Sequence, residues 1–110
     1  MPNTISLEEA QIMTAKFRDM RETVIAEEYK EQDILPFCET YDRGAFDEML
    51  GVPGCVSVRI YLGMNEDNQV RALVVAVDEN DEDILPNLEP SAVIVEVGRP
   101  CPDLCPTNLL

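Results

Sequence analysis

Apolar positions recur at helical spacing through the first part of the chain. Ala10, Met13, Phe17, Met20 and Val24 stand 3, 4, 3 and 4 residues apart, which is the stripe of an amphipathic helix. Ser6-Leu7-Glu8-Glu9 supplies the start as a capping box, with Ile5 and Ala10 at the staple positions and two glutamates at the positive end of the helix dipole. The pattern predicts a helix from about residue 7 to about residue 30, with Pro36 as its latest stop. A shorter helix follows a turn over residues 36–42. Thr40 or Asp42 is its cap, Ala45, Phe46, Met49 and Leu50 form its apolar face, and Gly51, Pro53 and Gly54 end it. The methionines on these stripes, Met13, Met20 and Met49, read as core.

Beyond residue 55 the period becomes two. Val56, Val58, Ile60 and Leu62 alternate with Ser57, Arg59 and Tyr61, the pattern of a half-buried strand. Asn65-Glu66-Asp67-Asn68 is turn chemistry, so residues 70–77 return as the second arm of an antiparallel hairpin. That arm is apolar on both faces after Arg71, as a central strand should be. An acidic loop over residues 78–83 precedes a third strand over residues 92–97, ended by Gly98 and Pro100. The order predicts an α+β fold in which two N-terminal helices pack on a three-stranded, mainly antiparallel sheet as a two-layer sandwich. Residues 1–98 form the domain. Residues 99–110, with three prolines, are either a mobile extension or a strap held by cysteines. Asp33-Ile34-Leu35-Pro36 returns as Asp83-Ile84-Leu85-Pro86; the flanks differ, so these read as two loop entries of similar chemistry and not as a duplication.

Charge narrows the function. The chain has 22 Asp plus Glu, 8 Lys plus Arg and no His, for a formal charge of −14, which argues against nucleic acid and anionic membranes as partners. The lack of His removes His-based acid–base and nucleophilic catalysis and every His-containing metal site. No apolar run approaches the roughly 18 residues of a membrane span. The first residues have neither a basic nor an apolar leader region, so the expected compartment is a reducing cytoplasm with thiols as synthesised.

Chemistry centres on Cys38, Cys55, Cys101 and Cys105. Four thiolates can close a tetrahedral zinc site without histidine, and Cys38 and Cys55 could converge on a tail folded back onto them. The C-x3-C spacing of the tail pair is not the C-x2-C of a zinc knuckle or a thioredoxin-like site, which counts against both; zinc is the better functional reading, and thiol-redox or disulfide use is the lesser alternative. The plain reading is that Cys38 and Cys55 are small core residues and the tail pair is loose. The acidic run places Asp78, Asn80, Glu82 and Glu89 at EF-hand spacing, but Asp83 stands where the loop needs glycine, so it reads as a solvated loop. Arg59 and Tyr61 share one strand face, and an internal ion pair is favoured there over an anion site. No phosphate-loop, dinucleotide, nucleophile-elbow or zinc-protease motif occurs, so no catalytic residue is assigned.

The strand containing Arg59-Ile60-Tyr61, the strand ending Val75-Ala76-Val77-Asp78 and the terminal Pro100-Cys101-Pro102 together resemble a group of small uncharacterised bacterial proteins with a helical N-terminal half. The resemblance covers about half the chain and implies a bacterial cytosolic setting; it transfers no activity. The expected function is a non-enzymatic protein-interaction or self-associating module, with a protein partner or a second copy, a basic partner suiting the acidic surface. The alternative is a zinc or thiol-redox protein using the four cysteines.

Overall fold

The computed structural model describes residues 3–96, 98–102 and 104–110. Helix α1 spans Leu7–Met20, strand β1 Cys38–Thr40, helix α2 Arg43–Leu50, β2 Ser57–Met64, β3 Val70–Val77, β4 Asp83–Ile84 and β5 Arg99–Cys101, with a 3-10 turn at Glu27–Tyr29. The architecture is α+β. One antiparallel sheet has the order β2-β3-β4, and β1 pairs with β5 in a second, two-stranded sheet.

The capping box forms as read: Glu9 N–H donates to Ser6 Oγ at 3.0 Å and Ser6 N–H to Glu9 Oε1 at 3.2 Å. The helix is shorter than the apolar rhythm predicts. It closes at Met20, whose carbonyl accepts from the Thr23 and Val24 N–H groups. Thr23, Val24 and Ile25 are three β-branched residues in a row, poor helix formers against the preceding turn. Arg21, at the C-cap, is buried. Its Nε donates to the Leu35 carbonyl, its guanidinium meets Asp33 at 2.9 Å and Glu22 at 3.2 Å, and it lies 4.4 Å over the Phe37 ring. That anchorage turns the chain into the loop that leads to β1.

α2 has Asp42 at its N-cap and Gly51 at its C-cap. Its Met49 is fully buried and joins Val74, Ala76 and Val95 as the core, with Tyr41, Ala45, Phe46, Cys55, Ile84 and Val93 packed around them. Tyr41 meets Phe46 edge-to-face, centroids 5.7 Å apart. The two helices differ in what they bury. α1 has no buried residue, so Met13 and Met20 are exposed and not core, unlike Met49. α1 lies near the same sheet face but leaves a gap of about 260 Å³ among Phe17, Leu35, Leu62 and Ala72.

β3 has the bounds and central position expected of it. The third strand does not. The sheet's third member is β4, at residues read as loop, while residues 92–96 contribute an isolated bridge, Val74 with Val95, and Val97 lies outside the described residues. Pro90 and the turn at residues 89–92 leave that segment little room to align with β3 for more than one pair. The tail is a strap: β5 pairs with β1, and Cys101 is bonded to Cys105.

Candidate functional site: an uncovered sheet edge

The two edges of β3 are filled in different ways. On the β2 side the pairing is continuous from Ser57 opposite Val77 to Met64 opposite Val70. On the other side the backbone is satisfied piece by piece. The Val70 N–H donates to the Ile34 carbonyl at 2.7 Å. The Ala72 N–H donates to Glu39 Oε1 at 3.1 Å, and the Tyr41 hydroxyl stands 2.9 Å from the Ala72 carbonyl and 3.0 Å from Glu39 Oε2, with one proton to give to either. Val74 exchanges both bonds with Val95, at 2.8 and 2.9 Å, and Ala76 pairs with Ile84. Side chains of Glu39 and Tyr41 thus act as part of a strand. Burial, followed by the hydrogen bond to Glu39, raises the Tyr41 hydroxyl to about 12. Gly98 closes over this pair: a Cβ there would stand 2.8 Å from Tyr41 Cζ and 2.9 Å from Glu39 Oε2, so only glycine fits without displacing them.

Even-numbered residues of β3 therefore face this mosaic, and odd-numbered ones face β2. By antiparallel alternation the N–H and C=O groups of Val58, Ile60 and Leu62 point away from β3. β2 is the end strand of its sheet, and among the described residues no strand meets it there. The apolar stripe of β2 is not the half-buried face that its alternation predicts. Val58 is 42% exposed, Ile60 63%, Leu62 79% and Met64 62%, while Met49 of α2 packs on Val74 and Ala76 of β3. Natural edge strands are guarded by charges, proline, bulges or short length. β2 is eight residues long and residues 51–64 contain no Asp or Glu in a chain that has 22.

The opposite face of β2 carries Arg59 and Tyr61, and here the internal ion pair expected for Arg59 is formed. Arg59 Nη1 and the Tyr61 hydroxyl both donate to the Asp83 carboxylate, and Arg59 Nη2 meets Asp81 at 2.8 Å. The bond from Tyr61, then the Arg59 guanidinium, hold the Asp83 carboxyl below its usual range. The bridge crosses β3 from β2 to β4 and consumes the one positive charge on the edge strand. Asp33 takes Arg21 as Asp83 takes Arg59, and Ile34 and Ile84 both bond the same edge of β3, so the two Asp-Ile-Leu-Pro segments do share one chemistry.

The four cysteines do not converge on one point: Cys55 lies apart from the other three. The tail folds back onto Cys38, which stands opposite Cys101, but Cys101 is already bonded to Cys105. Cys55 packs on the core, its sulfur 3.4 Å from the Ser57 carbonyl. Among the described residues no three Cys, Asp or Glu side chains form a metal-binding group. In the loop over residues 78–83 the Asp78 carboxylate accepts from the Asn80 and Glu82 N–H groups at 2.8 and 3.0 Å, which makes it the organiser of a hairpin turn. No helix among the described residues is long and apolar enough to cross a membrane.

No family model, no curated protein and no solved structure matches the chain, so its function rests on this geometry alone.

Proposed function

We propose that the protein is a non-enzymatic, self-associating module whose contact is the outer edge of β2, paired antiparallel with β2 of a second copy. The observation that carries this reading is area. The chain exposes 8038 Å², whereas a compact protein of 12.3 kDa exposes about 6,100 Å². The surplus of about 1,900 Å² exceeds the roughly 800 Å² that each partner buries in a standard interface. A radius of gyration of 16.0 Å, against about 13 Å for a compact chain of this length, agrees.

The chemistry of the edge selects a second copy over a basic partner. A basic partner would find no carboxylate along residues 51–64, and Arg59 is already neutralised within its own chain. Self-pairing about a two-fold axis at Ile60 puts outward backbone groups of one copy opposite those of the other. It sets Ile60 beside Ile60, Val58 beside Leu62 and Arg59 beside Tyr61, with no like charges opposed. Two three-stranded sheets would then join as one. An axis moved two residues toward Leu62 would bring Glu66 opposite Val58; moved toward Val58, it would leave Leu62 and Met64 outside the pairing.

Sedimentation equilibrium over about 1 to 100 µM protein tests the reading, since interfaces of standard size reach micromolar affinity or better. A dimer across the range is the expected result. A strict monomer at the highest concentration overturns it.

A further inference from the structure

Three of the four sulfurs belong to one small region, and this arrangement is independent of the sheet edge. β1 and β5 run antiparallel with Cys38 directly opposite Cys101. Opposed residues share a face, and their Cα atoms stand about 4.5–5.5 Å apart. That lies inside the roughly 4.4–6.8 Å that a disulfide spans. Cys38 is a free, half-buried thiol, and its would-be partner is already in a disulfide with Cys105. Cys101 is fully buried, so a thiol from solvent has no access to its sulfur, whereas Cys105 is exposed.

We infer that the disulfide moves within the chain. The Cys38 thiolate attacks the Cys101 sulfur, a Cys38–Cys101 bond forms, the Cys101–Cys105 bond breaks, and Cys105 leaves as a thiolate. Cys38 gives up one proton and Cys105 takes one up, so the exchange is redox-neutral and needs neither oxidant nor reductant. Loop entropy does not oppose the exchange in the folded chain: the new bridge closes the long loop from β1 to β5, and the strand pairing already holds that loop closed. The exchange would staple β1 to β5 and untie the tail at Cys105. In the present state that tail covers part of α1. Arg18 Nη1 donates to the Leu110 carbonyl at 2.5 Å, and Leu109, Leu110, Met13, Phe17 and Cys38 line a cavity of about 510 Å³ between tail and helix. The nucleophile therefore sits in the wall that the tail closes, and bridge position and tail position are linked.

The test uses the oxidised protein without added oxidant. It is held at pH 8, quenched with acid at intervals, labelled with N-ethylmaleimide and mapped by peptide mass spectrometry. Cys105 should acquire label in at least about a tenth of the molecules within minutes to hours, at the expense of Cys38. Cys55, away from the site, should label equally throughout. Cys38→Ser should abolish labelling of Cys105. A Cys101–Cys105 bridge that stays the sole bond after a day, with Cys38 fully labelled, overturns the inference. So does equal labelling of Cys105 in Cys38→Ser. The wild-type map decides alone should that variant not fold.

Discussion

β2 and β3 are neighbouring strands of equal length, paired from end to end and both rich in aliphatic side chains, yet they end in opposite environments. Val74 to Val77 of β3 are 1–3% exposed, while Ile60, which shares a face with Val74, is 63% exposed. The difference does not come from the strands themselves. β3 lies between two partners and under Met49 of α2, with Val95 closing its inner side. Among the described residues β2 has one strand partner, and its aliphatic face meets α1 only across the gap between Phe17 and Leu62. Apolar content alone thus says how much surface wants covering, and neighbours say which part of it is covered.

This contrast can be broken most forcefully at Ile60. Ile60→Lys places a charge at the proposed two-fold axis, where it would stand beside its own copy. It should weaken the dimer by about 100-fold or more, roughly 2.7 kcal/mol. Unfolding of the isolated chain should barely change, because the side chain is exposed there. A dimer that survives with unaltered affinity would move the interface elsewhere. A smaller effect sharpens the contrast in the single chain. Val74→Ala should lower stability by about 2 kcal/mol in urea. Ile60→Ala, measured under monomeric conditions, should lower it by less than about 0.5 kcal/mol. Equal losses would mean that the two strands are covered alike.

A loss about half that of Val74→Ala is expected at the inner edge of β3. Tyr41→Phe removes the hydroxyl that serves the Ala72 carbonyl and should cost about 1 kcal/mol near neutral pH. The folded state holds this phenol protonated, raised from 10.0 to about 12. Its contribution is therefore complete below pH 10 and is lost as pH rises from there toward 12. Tyrosinate absorbance of the folded protein should show a late ionisation that Tyr41→Phe diminishes, the remainder belonging to Tyr61, whose hydroxyl is also raised by its bond to Asp83. A wild-type titration complete by pH 11 would contradict the buried, Glu39-bonded geometry.

Much of this was legible before folding. The capping box, α2 with its glycine stop, the β2–β3 hairpin and the bounds of β3 all follow from local periodicity and turn chemistry. The pairing of Arg59 with a loop carboxylate was readable from charge surplus. Other features were not. The first helix stops ten residues short of the apolar rhythm's predicted end near residue 30, because the β-branched run after Met20 and the burial of Arg21 outweigh the stripe. Residues 92–96 have strand composition but make one bridge. Glu39 and Tyr41 gave no sign that their side chains would stand in for a strand. The acid-free stretch over residues 51–64 was the one visible signal of the edge, and it matters only once β2 is known to lie at the end of the sheet.

The sequence by itself determined the start of α1, α2 and the β2–β3 hairpin with its turn, since each depends on residues within a few positions of one another; β1, β4 and β5 are short strands made by partners distant in the chain. Tertiary structure alone decided which of two similar strands is covered, that Cys38 rather than Cys55 faces the tail, and that Met49 rather than Met13 or Met20 is core. Burial and sulfur proximity are relations between surfaces distant in the chain. Side-chain period sets only which face is apolar, whereas the packing of α2, the strap and β4 sets what that face meets.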